Sequence, residues 1–128
     1  NEERRAAWQK EIDARKDFFW RVVASAVLAE FDRRNVLTTD QWNKLEPILM
    51  KLVKDYSEDI ENYFSGGYST PWYLQTYSTL LPFAGVPEKE LKAILSKPQW
   101  DRWSGEDLGN AMNYWESIEG NHKSRVKK

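Results

Sequence analysis

A six-residue pattern occurs twice in the chain, as Leu37-Thr38-Thr39-Asp40-Gln41-Trp42 and as Leu95-Ser96-Lys97-Pro98-Gln99-Trp100, and it constrains the fold more than any other feature. In each copy the hydroxyl residue, Thr38 or Ser96, suits a helix N-cap that accepts a backbone N–H. The glutamine three positions on, Gln41 or Gln99, reaches back to the N–H of the cap itself, which makes a capping box. The leucine before the cap and the tryptophan at the fourth helical position, Leu37 with Trp42 and Leu95 with Trp100, are spaced for a hydrophobic staple. Two helices are therefore expected to start in the same way.

Between and around these starts the chain reads as helix throughout. Residues 2–34 contain no Gly or Pro and consist mostly of good helix formers, so one long N-terminal helix is expected. Its first half is thinly apolar, with Trp8 and Ile12 on one face and charge pairs such as Glu11–Arg15 and Asp17–Arg21 around them. Its second half carries a broad stripe of Phe19, Trp20, Val23, Ala24, Val27 and Phe31, expected to be buried. Residues 1–12 either pack on the C-terminal helix, the favoured reading, or project and make Arg4, Arg5, Trp8 and Ile12 a contact surface for a partner. After the first capping box, Trp42, Leu45, Leu49, Leu52, Val53, Tyr56, Ile60 and Tyr63 follow three-and-four spacing. Pro47 lies inside that helix and should kink or split it. Gly66-Gly67 ends it, and Thr70-Pro71 is expected to restart a helix carrying Trp72, Tyr73, Tyr77, Leu80 and Leu81. A short helix follows Pro87, the second capping box starts another, and a last helix carries Leu108, Met112, Trp115 and Ile118 as far as Gly120. Residues 121–128, a basic tail, should fray. The expected fold is all-α: a single domain over 1–128, built as an irregular bundle of about five helices with a long N-terminal helix.

Several kinds of chemistry have no residues to support them. The chain has no cysteine, which excludes disulfides and thiolate chemistry, and its single histidine, His122, lies in the polar tail. No Gly-x-Ser-x-Gly elbow, phosphate-binding loop or calcium loop is present. The acids around Asp55, Glu58, Asp59 and Glu61 read as a solvated helix face. With a formal net charge of −1 and no clustered Lys/Arg, nucleic-acid binding is not expected. No apolar run is long enough to span a membrane. The chain is read as a non-enzyme with no cofactor and no metal site.

The twice-repeated Leu-Thr/Ser-x-x-Gln on a small, helical, cysteine-free chain resembles the LTxxQ-motif family of bacterial periplasmic proteins, which includes stress-induced chaperones and metal-responsive regulators. The resemblance implies an extracytoplasmic helical protein, with the cytoplasm as the alternative, that works by binding other proteins. The segment from Leu37 to Leu49 also resembles the opening of certain insertion-sequence transposases, although the basic stretch expected after such a segment is missing. Within the protein-binding reading, a dedicated subunit of one partner competes with a holding chaperone. The seven tryptophans and only two methionines favour a fixed interface over an adaptable one. The reading of a different class is a small-molecule module, in which a glycan or other stacking ligand sits on the aromatic cluster from Tyr63 to Tyr77, with Tyr68, Trp72, Tyr73 and Tyr77 as its platform. The residues do not set the oligomeric state.

Overall fold

A computed structural model describes residues 1–64, 71–75 and 78–127. The long N-terminal helix α1 runs over Glu2–Asn35 and α2 over Thr39–Tyr63, joined by three residues, so the two form an antiparallel hairpin. A single 3-10 turn, Trp72–Leu74, leads to the short helices α3 (Leu81–Ala84), α4 (Glu88–Ile94) and α5 (Lys97–Arg102). A π turn over Trp103–Asp107 then carries α5 into α6, Leu108–Val126. Counting α5 and α6 as one bent rod gives five helical bodies among the described residues, and no strand occurs among them.

The core lies between the C-terminal half of α1 and the inner faces of α2, α3 and α6. Val23, Ala24, Val27, Leu28 and Phe31 of α1 meet Leu45, Leu49, Val53 and Ile60 of α2, all fully buried. At the centre Phe31 stacks on Phe83, with ring centroids 4.0 Å apart, and Trp103 stands edge-on to both. This ring cluster joins α1, α3 and the start of the π turn. Beside it Trp115 of α6 is pressed against Gly85, where a Cβ would fall 2.3 Å from the indole Cζ2.

Several local readings need correction. Pro47 does not split α2, which is one helix over Thr39–Tyr63, and the proline is exposed. The helix expected after Thr70-Pro71 is only the turn Trp72–Leu74; Thr70 lies outside the described residues. At the π turn, Gly105 leaves helical geometry with ψ −124°. Finally, α6 does not fray at residue 121 but continues to Val126. The corner after α1 is strained, because Val36 adopts the left-handed region with φ 47°. That conformation costs a β-branched residue about 1–2 kcal/mol.

Candidate functional site

Both repeated motifs form capping boxes. Thr38 Oγ1 accepts from Gln41 N at 3.1 Å and Gln41 Oε1 accepts from Thr38 N at 2.9 Å. The second box repeats this with Ser96 and Gln99 at 3.4 and 2.8 Å. What the motifs do together was not visible in either copy. Gln41 Nε2 donates to Gln99 Oε1 at 2.7 Å, and Gln99 Nε2 donates back to Gln41 Oε1 at 3.0 Å. Each amide also reaches the carbonyl just before the other motif's leucine: Gln41 to Ile94 O at 3.1 Å, Gln99 to Val36 O at 3.0 Å. The arrangement is a local two-fold. Its carbonyl from Val36 is aimed by the strained left-handed corner. Gln99 is buried and Gln41 half-buried, so the pair is an internal brace between the two helix starts.

A second polar cluster ties the end of α6 to α2. Asp59 is only 3% exposed, which overturns its reading as part of a solvated face. It accepts from Arg125 Nε and Nη2 at 3.0 and 3.1 Å, and its Oδ2 lies 2.7 Å from His122 Nδ1. The His122 ring stacks on Tyr56 at 4.1 Å between centroids. The hydrogen bonds from Arg125 hold the Asp59 carboxyl below its usual range, opposed by desolvation and helped by His122. Nearby, Glu119 is held low by Lys123, and it also accepts from Trp115 Nε1 at 3.1 Å. His122, expected in a loose tail, is therefore a structural residue that holds α6 in place. With its partners already satisfied, the cluster acts as a clasp.

Among the described residues, the aromatic side chains expected to form a ligand platform are not gathered on one open face. Trp72 is 3% exposed and its rings belong to the core. Phe83 is stacked on Phe31, and Tyr63 lies edge-on to Phe64 and Tyr114. Tyr73 is half-buried between Trp72 and Phe19; Tyr68 and Tyr77 lie outside the described residues. An apolar cavity of about 340 Å³ opens under Gly85, with Leu91, Trp100, Trp103, Leu108 and Met112 among its lining. Its two carboxylates are engaged, Glu88 by Lys92 at 2.8 Å and Glu119 by Lys123 at 2.8 Å. A larger recess of about 520 Å³ beside Arg34 is lined by the ion pair of Arg34 with Asp107 at 3.2 Å. Among the described residues no group of three His, Asp or Glu side chains is placed to hold a metal, and no helix is long and apolar enough to cross a membrane.

The exposed apolar surface is concentrated on α1. Before Trp20 every residue of the helix is exposed except Ile12, which is half-buried. Trp8 is 59% exposed, so the reading in which it packs on the C-terminal helix does not hold. Arg4 and Arg5 are exposed beside it, in a first turn capped by Asn1 Oδ1. Phe19, expected to be buried with its neighbours, is 42% exposed. Phe18, Val22 and, on the 3-10 turn, Leu74 are 66%, 46% and 62% exposed. These three were not recognised as surface residues from the sequence.

The reason is that α1 carries two apolar series at helical spacing. One, Val23, Ala24, Val27, Leu28, Phe31 and Asn35, faces the core. The other runs 8, 12, 15, 19, 22, 26, 29, stepping by four and three, and is occupied by Trp, Ile, Arg, Phe, Val, Ala and Ala. At 100° per residue the two series lie roughly 150° apart around the helix. Overlapping in the sequence, they read as one wide stripe. The outer series has heptad spacing, and among the described residues no helix lies against its first half.

Comparison of the chain with protein-family models, with curated proteins and with solved structures finds no match.

Proposed function

We propose that this chain is a non-enzymatic protein-interaction domain whose long N-terminal helix offers an apolar seam to a dedicated partner. The observation that carries this reading is the exposed strip of Trp8, Phe18, Phe19 and Val22 on a helix that is otherwise charged and extends beyond the core. Large rigid aromatic side chains suit a fixed interface, because little side-chain freedom is lost when they are covered. The brace formed by Gln41 and Gln99 supports the resemblance to the LTxxQ-motif family, since it makes the two motifs parts of one device. That kinship would set the partner binding in a bacterial extracytoplasmic, chaperone- or regulator-like role.

Crosslinking in the cells that make the protein, followed by affinity capture, tests the reading. The unaltered chain should recover one protein at near-equal stoichiometry, and a Trp8→Glu, Phe19→Glu double variant should lose it. A broad spread of substoichiometric proteins would replace the dedicated subunit with a holding chaperone. Capture unaffected by the double variant would remove α1 as the site.

A further inference from the structure

We infer that the recess beside Arg34 binds a neutral saccharide of one or two rings, at a site separate from the exposed strip on α1. The recess, about 520 Å³ in volume, lies where the end of α1, Leu80 and the first turns of α6 meet. Cavities that take small ligands run from about 300 to 1,000 Å³, so a mono- or disaccharide fits the space. A sugar ring has an apolar C–H face and a rim of hydroxyls. The lining of the recess is divided in the same way.

Its apolar part is the buried pair Leu80 and Ala111, together with the exposed ring of Tyr114. Its polar part is unengaged. Asn110, Asn113 and Glu106 are exposed and make no hydrogen bond or ion pair among the described residues. Asn110, Asn113 and Tyr114 are three and four positions apart and share a face of α6. Each amide offers donors and an acceptor together, whereas the carboxylate only accepts. A hydroxyl both donates and accepts, so neighbouring hydroxyls are matched by amides with a carboxylate beside them. Glu106 and Asp107 come from the π turn, and single breaks of this kind within a helical rod are frequent at functional sites.

Charge selects the class of ligand. Among the lining residues two carboxylates, Glu106 and Asp107, stand against one guanidinium. That guanidinium is already shared between Asp107 and Glu30, each at 3.2 Å. An anion would meet an engaged arginine and be opposed by Glu106. A small cation would use Glu106 alone, since Asp107 is neutralised by Arg34, and would leave the donors of both amides unmatched. A neutral polyol engages the amides and the carboxylate together and adds no charge.

Nuclear magnetic resonance of the full chain, labelled with nitrogen-15, tests this. The probes are glucose, galactose, mannose, N-acetylglucosamine and their α- and β-linked disaccharides, each raised to about 50 mM, with choline and inorganic phosphate as charged comparisons. At least one saccharide should move the side-chain amide signals of Asn110 and Asn113 saturably, while the indole signal of Trp8 stays in place. Asn110→Ala combined with Asn113→Ala, both at exposed helix positions, should raise the dissociation constant by about tenfold with an unchanged melting temperature. The Trp8→Glu, Phe19→Glu variant should bind the saccharide as the unaltered chain does, so the result is independent of the partner on α1. No saturable shift with any saccharide, or binding that survives the double asparagine variant, would overturn the site. Saturable binding of choline or phosphate in preference to every saccharide would overturn the ligand class.

Discussion

At the scale of single residues, the chain depends on a few buried groups whose geometry leaves little slack. Gln99 donates to two carbonyls and to Gln41, and accepts from Gln41 and Ser96. Replacing it with Leu leaves several of these groups buried without a partner, at about 1–3 kcal/mol for each one that water cannot reach. Gln41→Leu should cost less on its own, because Gln41 is closer to solvent. In a double-mutant cycle followed by urea unfolding, the two should couple by about 0.5–3 kcal/mol; additive effects would mean that the amides act separately. Gly85 is constrained by space and not by its backbone angles, since its φ is −85°. Gly85→Ala would drive a methyl into the Trp115 indole and towards Leu52, so a loss of about 1–3 kcal/mol is expected, visible as a lower melting temperature.

At the scale of elements, the most informative helix is α6. Its last turns are polar, and nothing in their pattern shows that they should be ordered. They are held by tertiary contacts: Asp59 on α2 takes Arg125 and His122, and Tyr56 stacks under the histidine. The carboxyl of Asp59 titrates lower in the fold than in the unfolded chain. Its contribution is therefore complete above the ordinary aspartate range and is lost as pH falls through its folded value. Hydrogen exchange at Asn121–Arg125 should accelerate under acid, below the ordinary aspartate range. In Asp59→Asn the same amides should exchange faster already at neutral pH, with a flatter acid response and a loss of about 1–2 kcal/mol in stability. An unchanged exchange profile in that variant would mean that α6 is held by Trp115 and Ile118 alone.

The same contrast between local and long-range causes explains what the sequence made legible. The all-α class, the long α1 and the starts of α2 and α5 rest on neighbours in the chain, and caps and spacing reveal such features directly. The order at the end of α6 rests on a residue more than sixty positions away, so no local pattern announces it. Trp72 looked like part of an open aromatic platform because density of aromatic residues says nothing about which side faces in. The seam on α1 was half visible: Trp8 and Ile12 stand alone in a polar stretch. Phe19 and Val22 are interleaved with the core series, and there composition could not separate the face turned inward from the face turned out.

At the scale of the whole molecule, the domain is a compact core with one helix longer than the core requires. The chain has a formal net charge of −1, and residues 2–17 carry five acidic and five basic side chains. No long-range field steers the projecting end, and recognition there has to rest on shape and on charges at short range.

The brace between the two motifs also has a consequence for how the chain reaches its fold. Each capping box can close within four residues, but the outward half of each glutamine amide has no partner until position 41 meets position 99, 58 residues further on. A ribosome therefore releases the first motif long before the segment that completes it. The first helix start can flicker into being early, as any short capped segment can, yet it becomes permanent only when the last third of the chain has arrived and docked. A local signal thus ends as a report that the distant parts of the molecule are in place.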